Sequence, residues 1–303
     1  MLCKIILLCL VLVNSTVLAQ QRPIKIIVPF SPGGQIDLIA RELQPILDTD
    51  LSVPVVVEYK LGAGAAIGIN HVAKATTTDV LLMVLDSTLL TANILAKNSN
   101  LEDFRFLSVL GTTSTALAVA KNSTYKNLSA WQNKTINLGT NGFGGPHHYY
   151  SHLLQQSIRA TIIPVHFKGL GDAMPALLGG HIDAFWGSTA TLMPYEQAAK
   201  IDIIATLSPD ANKLPGLDTI PTFKELGLTK LSMATIWIIV SNTSADPDYV
   251  AKVQRVLNKI TPKTHPGLYA RTNIQPHSGQ YKNIQVILRE RMKEQAEFVN
   301  SLK

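Results

Sequence analysis

"IKIIVPFSPGGQIDLIARELQPIL", residues 24–47, runs from an apolar strand through a glycine corner into a helix with apolar residues every three or four positions. The same phrase returns along the chain. "VPVVVEY" passes through "KLGAG" into "AAIGINHVAKA", and "DVLLMVL" through "DST" into "LLTANILAK". Further on, "TINLGT" passes through "NGFGGP" into "HHYYSHLLQQSI", and "HIDAFWG" through "STATLMP" into "YEQAAK". Strands alternating with helices predict an α/β protein with mostly parallel sheets flanked by helices. The strands are near-continuous Val/Ile/Leu runs, as burial of both faces requires. With 303 residues the chain exceeds the usual single core, so two lobes are expected. The β-rich stretches 107–125 and 231–247 read as crossings between them. Residues 20–120 with 236–303 then form one lobe and 121–235 the other. The C-terminal helices, opened by "DPDYVAKVQRVLNKI", are expected on the first lobe.

The chain opens "MLCKIILLCLVLVNSTVLAQQRP": one lysine, a short apolar run, then Val17-Leu18-Ala19. This predicts a signal peptide over residues 1–19, cleaved after Ala19, and a periplasmic protein. The run is too short to span a bilayer. Both cysteines, Cys3 and Cys9, lie inside that segment, so disulfides and thiol chemistry are not expected in the mature protein. The formal charge of +6 falls to +5 when Lys4 is removed. Lysine and arginine are scattered without a basic block, which gives no basis for nucleic-acid binding.

The corners between strands and helices are bare: Gly33-Gly34, Gly62-Ala63-Gly64 and Gly142-Phe143-Gly144-Gly145. Turn geometry alone accounts for any one of them. Three in equivalent positions, at the strand ends where open α/β sheets bind ligands, point to an anion held by helix N–H groups. "GAGAAIG" (62–68) lacks the dinucleotide spacing, and no phosphate-binding lysine loop occurs. His148 and His152 stand one helical turn apart but have no evident third ligand, so neither a metal nor a cofactor is expected. Asp37 lies in the first turn of its helix, where it either favours the helix dipole or shapes the glycine loop. Ser31, Ser87 and Thr140 sit near strand ends, but no nucleophile elbow and no paired catalytic carboxylates accompany them. The chain therefore reads as a binding protein and not an enzyme.

In their order along the chain, "RPIKIIVPFSPGGQIDLIAREL", "VPVVVEYKLGAGAAIGINHVAKA", "LGTNGFGGPHHYYSHLL", "VHFKGLGDAMPALLGGHIDAFW" and "LPGLDTIPTFKELGL" resemble one family. It is that of the Bug-type substrate-binding proteins, the extracytoplasmic receptors of tripartite tricarboxylate transporters. The resemblance covers essentially all of the mature chain. It implies a two-lobed fold of the type II periplasmic-binding kind, acting as a monomer, which captures a small carboxylate and delivers it to a membrane permease. It also implies ligand contacts near Phe30, Ser31, Gly33, Gly34, Gln35 and Asp37, near Gly62, Ala63 and Gly64, and near Ser87. On the second lobe it implies Thr140, Gly144, Gly145, His148, Lys168 and Asp183. Gln35-Ile36, Tyr59-Lys60, Gly145 and His166-Phe167 depart from the family pattern, which implies a ligand other than its common ones. Two other readings use the same cleft: a ligand sensor that docks on a membrane kinase, and an exported enzyme acting on a small anion.

Overall fold

A computed structural model describes residues 22–96, 99–207, 217–232, 235–276 and 283–302. The expected signal peptide, residues 1–19, lies outside the described residues. Strands β1 (Ile24–Val28), β2 (Val55–Tyr59) and β3 (Val80–Leu85) run parallel, joined by helices α1 (Gln35–Leu51) and α2 (Ala66–Ala73). Helix α3 (Asp86–Ala96) follows β3 without a loop, and β4 (Phe104–Thr113) forms the sheet's far edge. The fifth strand arrives from much later in the chain. Strand β10 (Thr235–Asn242) inserts antiparallel between β3 and β4, which gives the order β2-β1-β3-β10-β4.

The second sheet repeats this plan. Strands β6 (Thr135–Asn141), β7 (Thr161–Phe167) and β8 (Ala184–Ser188) are parallel, with β9 (Ile201–Leu207) at the edge. Strand β5 (Thr115–Ala120) inserts antiparallel between β8 and β9, and the order is β7-β6-β8-β5-β9. Helices α4 (Pro146–Ser157), α5 (Leu170–Leu178) and α6 (Thr189–Gln197) follow β6, β7 and β8. Each sheet therefore has one reversed strand, and that strand is the one the chain uses to enter from the other lobe. This is the expected two-lobed α/β architecture with mostly parallel sheets.

Alternation along the strands fills both faces of each sheet. In β3, Leu81 and Met83 join the cluster under α1 while Leu82 and Val84 join the one under α2 and α3. Helix α1 lays Ile36, Ile39, Ala40, Leu43 and Leu47 on its sheet, a spacing of three and four residues that gives one buried face. Helix α7 (Pro247–Leu257) starts where its Asp-Pro signal places it, with the Asp246 carboxylate accepting from the N–H groups of Asp248 and Tyr249.

Three boundaries differ from the sequence reading. Strand β5 pairs in the second sheet, so the first crossing falls at Ser114 and not after residue 120. Helix α6 begins at Thr189, inside the expected turn "STATLMP", because the Ser188 hydroxyl accepts from Thr191 N–H and caps it there. The closing helix α9 (Ile284–Ser301), expected on the first lobe with α7 and α8 (Pro266–Thr272), serves both lobes. Its Ile284 and Leu288 pack in the first lobe's core, and Phe298 and Val299 in the second's.

Candidate functional site

The carboxyl ends of the parallel strands of both sheets face one interlobe cavity of about 70 Å³. First-lobe residues on its wall include Phe30, Ser31, Gly34, Gln35, Thr88 and Trp237; second-lobe residues include Asn141, His147, Gly169 and Thr191. Helices α1, α3, α4, α5 and α6 all present N-terminal residues there. First-turn N–H groups have no intrahelical acceptor, and the helix dipole gives each such end about half a positive charge. No Lys, Arg, Asp or Glu lines the cavity among the described residues. An anion held here would be stabilised by backbone and neutral side chains.

The two glycines of the opening corner have different reasons. Gly33 has φ +88°, which side chains rarely tolerate, and its N–H donates to Asp37 Oδ2 at 2.9 Å. Gly34 has an ordinary extended φ of −80° and caps α1 without a side chain. A Cβ there would meet only Ser31 O, at 3.9 Å. No neighbour in the fold excludes a side chain at Gly34, and Gly34 is the one that lines the cavity.

Asp37 shapes this loop. Besides Gly33 N–H, it accepts from Arg41 Nε at 2.9 Å and from the Tyr59 hydroxyl at 2.5 Å. The partly buried Tyr59 hydroxyl is held above its usual pKa, first by burial and then by its bond to Asp37. Gln35 is on the cavity wall, yet its amide is engaged elsewhere: Nε2 donates to Thr272 O and Oε1 accepts from Thr113, both at 2.7 Å. It ties the start of α1 to α8 and β4.

The other expected site residues are not on the cavity wall. Gly62, Ala63 and Gly64 approach the 142–145 loop of the second lobe. A Cβ at Gly64 would lie 2.4 Å from Phe143 O, and one at Gly142 would lie 3.1 Å from Gly64 Cα. These bare loops form a seam between the lobes, and the segment is strained, with positive φ at Ala63 and Ala65 as well as at Gly62 and Gly64. Gly144 N–H, expected to open onto the cleft, donates instead to His148 Nδ1 at 3.0 Å. The His148 side chain thereby caps its own helix, while Gly145 supplies the N-cap backbone. Burial lowers the His148 pKa to about 4, with His166 and His152 adding repulsion. His152 instead pairs with Gln156 at 3.0 Å.

Thr140 is fully buried and bonded to His166 Nδ1 at 2.7 Å, and Ser87 is buried beside the lining residue Thr88. Lys168 contributes its carbonyl, which accepts from the Ser31 hydroxyl at 3.3 Å across the cleft. Asp183 lies just before β8, at the end of that strand remote from the cavity. There its carboxylate accepts from Asn137 N–H at 2.7 Å, a bond that fixes β8 to β6.

Sequence reasoning did not pick out Thr88, Thr113, Thr115, Asn141, His147, Ser188, Thr191 or Trp237, all of which line the cavity. It searched strand-to-helix turns only. A reversed strand delivers its first residues to the same end, which is how Thr115 and Trp237 arrive. The signal was available in the two stretches identified as crossings.

Comparison with known proteins fits this geometry. The family description "Tripartite tricarboxylate transporter family receptor" matches residues 39–302. Protein BugT of Bordetella pertussis is 28% identical over 249 residues, covering 78% of this chain and 76% of that protein. The structure of the periplasmic binding protein BugD superposes with a TM-score of 0.81 at 20% identity, covering 93% of this chain and 97% of the other. That of R. palustris Rpa4515 with adipate does so with a TM-score of 0.79 at 17% identity, covering 92% and 97%.

Proposed function

This chain belongs to the tripartite tricarboxylate transporter receptor family, and from that premise we propose that it is an exported receptor that captures a small carboxylate between its lobes and delivers it to a membrane permease. One observation carries the ligand class: five helix N-termini from the two lobes converge on a cavity with no charged side chain in its described wall. Backbone N–H groups fixed in that way favour a carboxylate and would require no counter-ion. The dicarboxylate adipate in the structural neighbour Rpa4515 supports the same class. The size of the cavity, about 70 Å³, favours a compact acid.

Because both lobes contribute to the wall, ligand contacts would stabilise the closed arrangement and so report occupancy to a partner. No helix among the described residues is long and apolar enough to cross a membrane. Delivery would thus depend on docking to a separate permease. Export with cleavage after Ala19 would give a mature species that begins at Gln20, which intact mass of the periplasmic fraction checks.

Titration calorimetry with succinate, malate, glutarate, adipate and citrate, each against its methyl esters, tests the ligand class. The free acids should bind at least tenfold more tightly than the esters. Equal binding of acids and esters, or no binding of any acid, would overturn the reading.

A further inference from the structure

Resting on the carboxylate reading above, a second set of observations narrows it. Four side-chain atoms on the cavity wall are buried without a hydrogen-bond partner: Thr88 Oγ1, Asn141 Oδ1, His147 Nδ1 and Trp237 Nε1. Thr88, His147 and Trp237 are only 0%, 7% and 3% exposed. Buried polar groups are nearly always satisfied in native proteins, so several orphans around one cavity imply a ligand that completes them. Thr88 and Trp237 come from the first lobe, and Asn141 and His147 from the second.

Their chemistry is complementary and uncharged. The indole Nε1–H only donates, and the Asn141 Oδ1 only accepts. Ligand carboxylates can satisfy the indole and the helix ends. They cannot satisfy Asn141 Oδ1, because a carboxylate carries no proton to give. A hydroxyl can, and it can still accept from the indole, the threonine or the imidazole. An ammonium also donates, but it cannot accept, and it would face five helix N-termini with no carboxylate on the wall to balance it. His147 stays neutral here: burial lowers its pKa to about 3, and its ring packs near Tyr150 and edge-on to Phe185, not against an acid. Its Nδ1 can donate or accept according to tautomer, and a hydroxyl meets either role.

We infer that this cleft selects carboxylates bearing a hydroxyl over the same acids bearing hydrogen or an ammonium, with His147 as the specificity-determining residue.

The experiment uses two matched sets: succinate, malate and aspartate, then glutarate, 2-hydroxyglutarate and glutamate. Calorimetry on the full mature protein should show the hydroxy acid binding at least tenfold more tightly than both partners in one set. His147→Phe should bring the hydroxy acid to within about threefold of the unsubstituted acid, while affinity for the unsubstituted acid changes less than threefold. His147→Asn, which restores a neutral donor and acceptor, should recover part of the preference; its melting curve and that of His147→Phe check folding. A wild-type protein that binds aspartate or succinate as well as malate, and likewise in the second set, overturns the inference while leaving the carboxylate reading intact. So does a hydroxyl preference that survives His147→Phe. If no member of either set binds and citrate and adipate also fail, the carboxylate reading falls, and this inference with it.

Discussion

Gly64→Ala should weaken ligand binding without touching the ligand. Gly64 belongs to the first lobe and the carbonyl of Phe143 to the second. A Cβ at Gly64 would stand 2.4 Å from that oxygen, where ordinary contact begins at 3.4 Å, so the seam must open by about 1 Å. The obstruction is backbone, which cannot rotate aside as a side-chain tip would. Overpacking of this kind costs about 1–3 kcal/mol. The cost falls on the closed arrangement alone, since separated lobes no longer meet there. If only the closed form holds ligand tightly, apparent affinity drops by the same free energy, about 5- to 150-fold.

Backbone strain must be separated from this effect, because Gly64 has φ +60° and an alanine there costs about 1–2 kcal/mol in either arrangement. Gly180→Ala is the control. It has φ +71°, and its Cβ would meet nothing within 4 Å. Both variants should lower the melting temperature by a similar amount, while Gly64→Ala alone should lower affinity for the best-bound acid. Small-angle scattering at saturating ligand should give a larger radius of gyration for Gly64→Ala than for wild type. Binding within twofold of wild type, or an equal loss in Gly180→Ala, would refute the seam.

Gly34→Val should leave the melting temperature within about 2 °C, because its φ of −80° suits any residue and a Cβ there meets only Ser31 O at 3.9 Å. It should cost at least tenfold in affinity; calorimetry showing unchanged binding would remove this corner from the site. Stability should fall as pH drops from about 6.5 to 4. His147 and His148 are neutral in the fold, with pKa values lowered to about 3 and 4 by burial, whereas the unfolded chain takes up their protons near pH 6.5. The slope is roughly 1.4 kcal/mol per pH unit for each histidine in that window. His147→Phe should flatten it in urea-unfolding series, and an unchanged slope would contradict the burial argument.

How far sequence reaches depends on whether a residue's partner is local. The α1 face was legible because Ile36, Ile39, Leu43 and Leu47 declare a helical period by themselves. The glycine corners were legible as places but not as roles. Gly34 faces a cavity, whereas Gly64 faces another backbone 2.4 Å from its would-be Cβ, and only the relative placement of the lobes separates them. Gly68, the last glycine of "GAGAAIG", is explained by packing, since a Cβ there would come within 2.9 Å of Lys60 O and of Pro29 Cβ. In "PHHYYSH" the reading chose His148. Successive helical residues point about 100° apart, and the Gly144 N–H bond turns His148 back onto the helix start while His147 takes the cavity. Which of two adjacent histidines faces a ligand is set by tertiary register, which no local pattern encodes.

Helix α9 was the least legible element, and it changes how closure must work. Two strand connections allow one lobe to swing freely about the pair. A helix seated in both cores adds a constraint, because packed interiors do not stretch. Phe298 stacks within 5.2 Å of both His148 and Tyr149 in the second lobe, and Ile284 and Leu288 are buried in the first. Any rotation that keeps both seats must pivot close to the helix's middle. Arg291 lies there, paired with the fully buried Asp86 at the start of α3. The other Asp86 oxygen accepts from Ile236 N–H at 3.0 Å, at the point where β10 enters the first lobe. One carboxylate thus joins α3, α9 and the second crossing. Burial pushes its pKa upward while Arg291 and the backbone bonds oppose that. Breaking such a pair would leave an uncompensated charge, so it resists separation during lobe motion. Motion is then left to the opposite side of the cleft, where the contacts are bare glycine loops that can part without exposing a core.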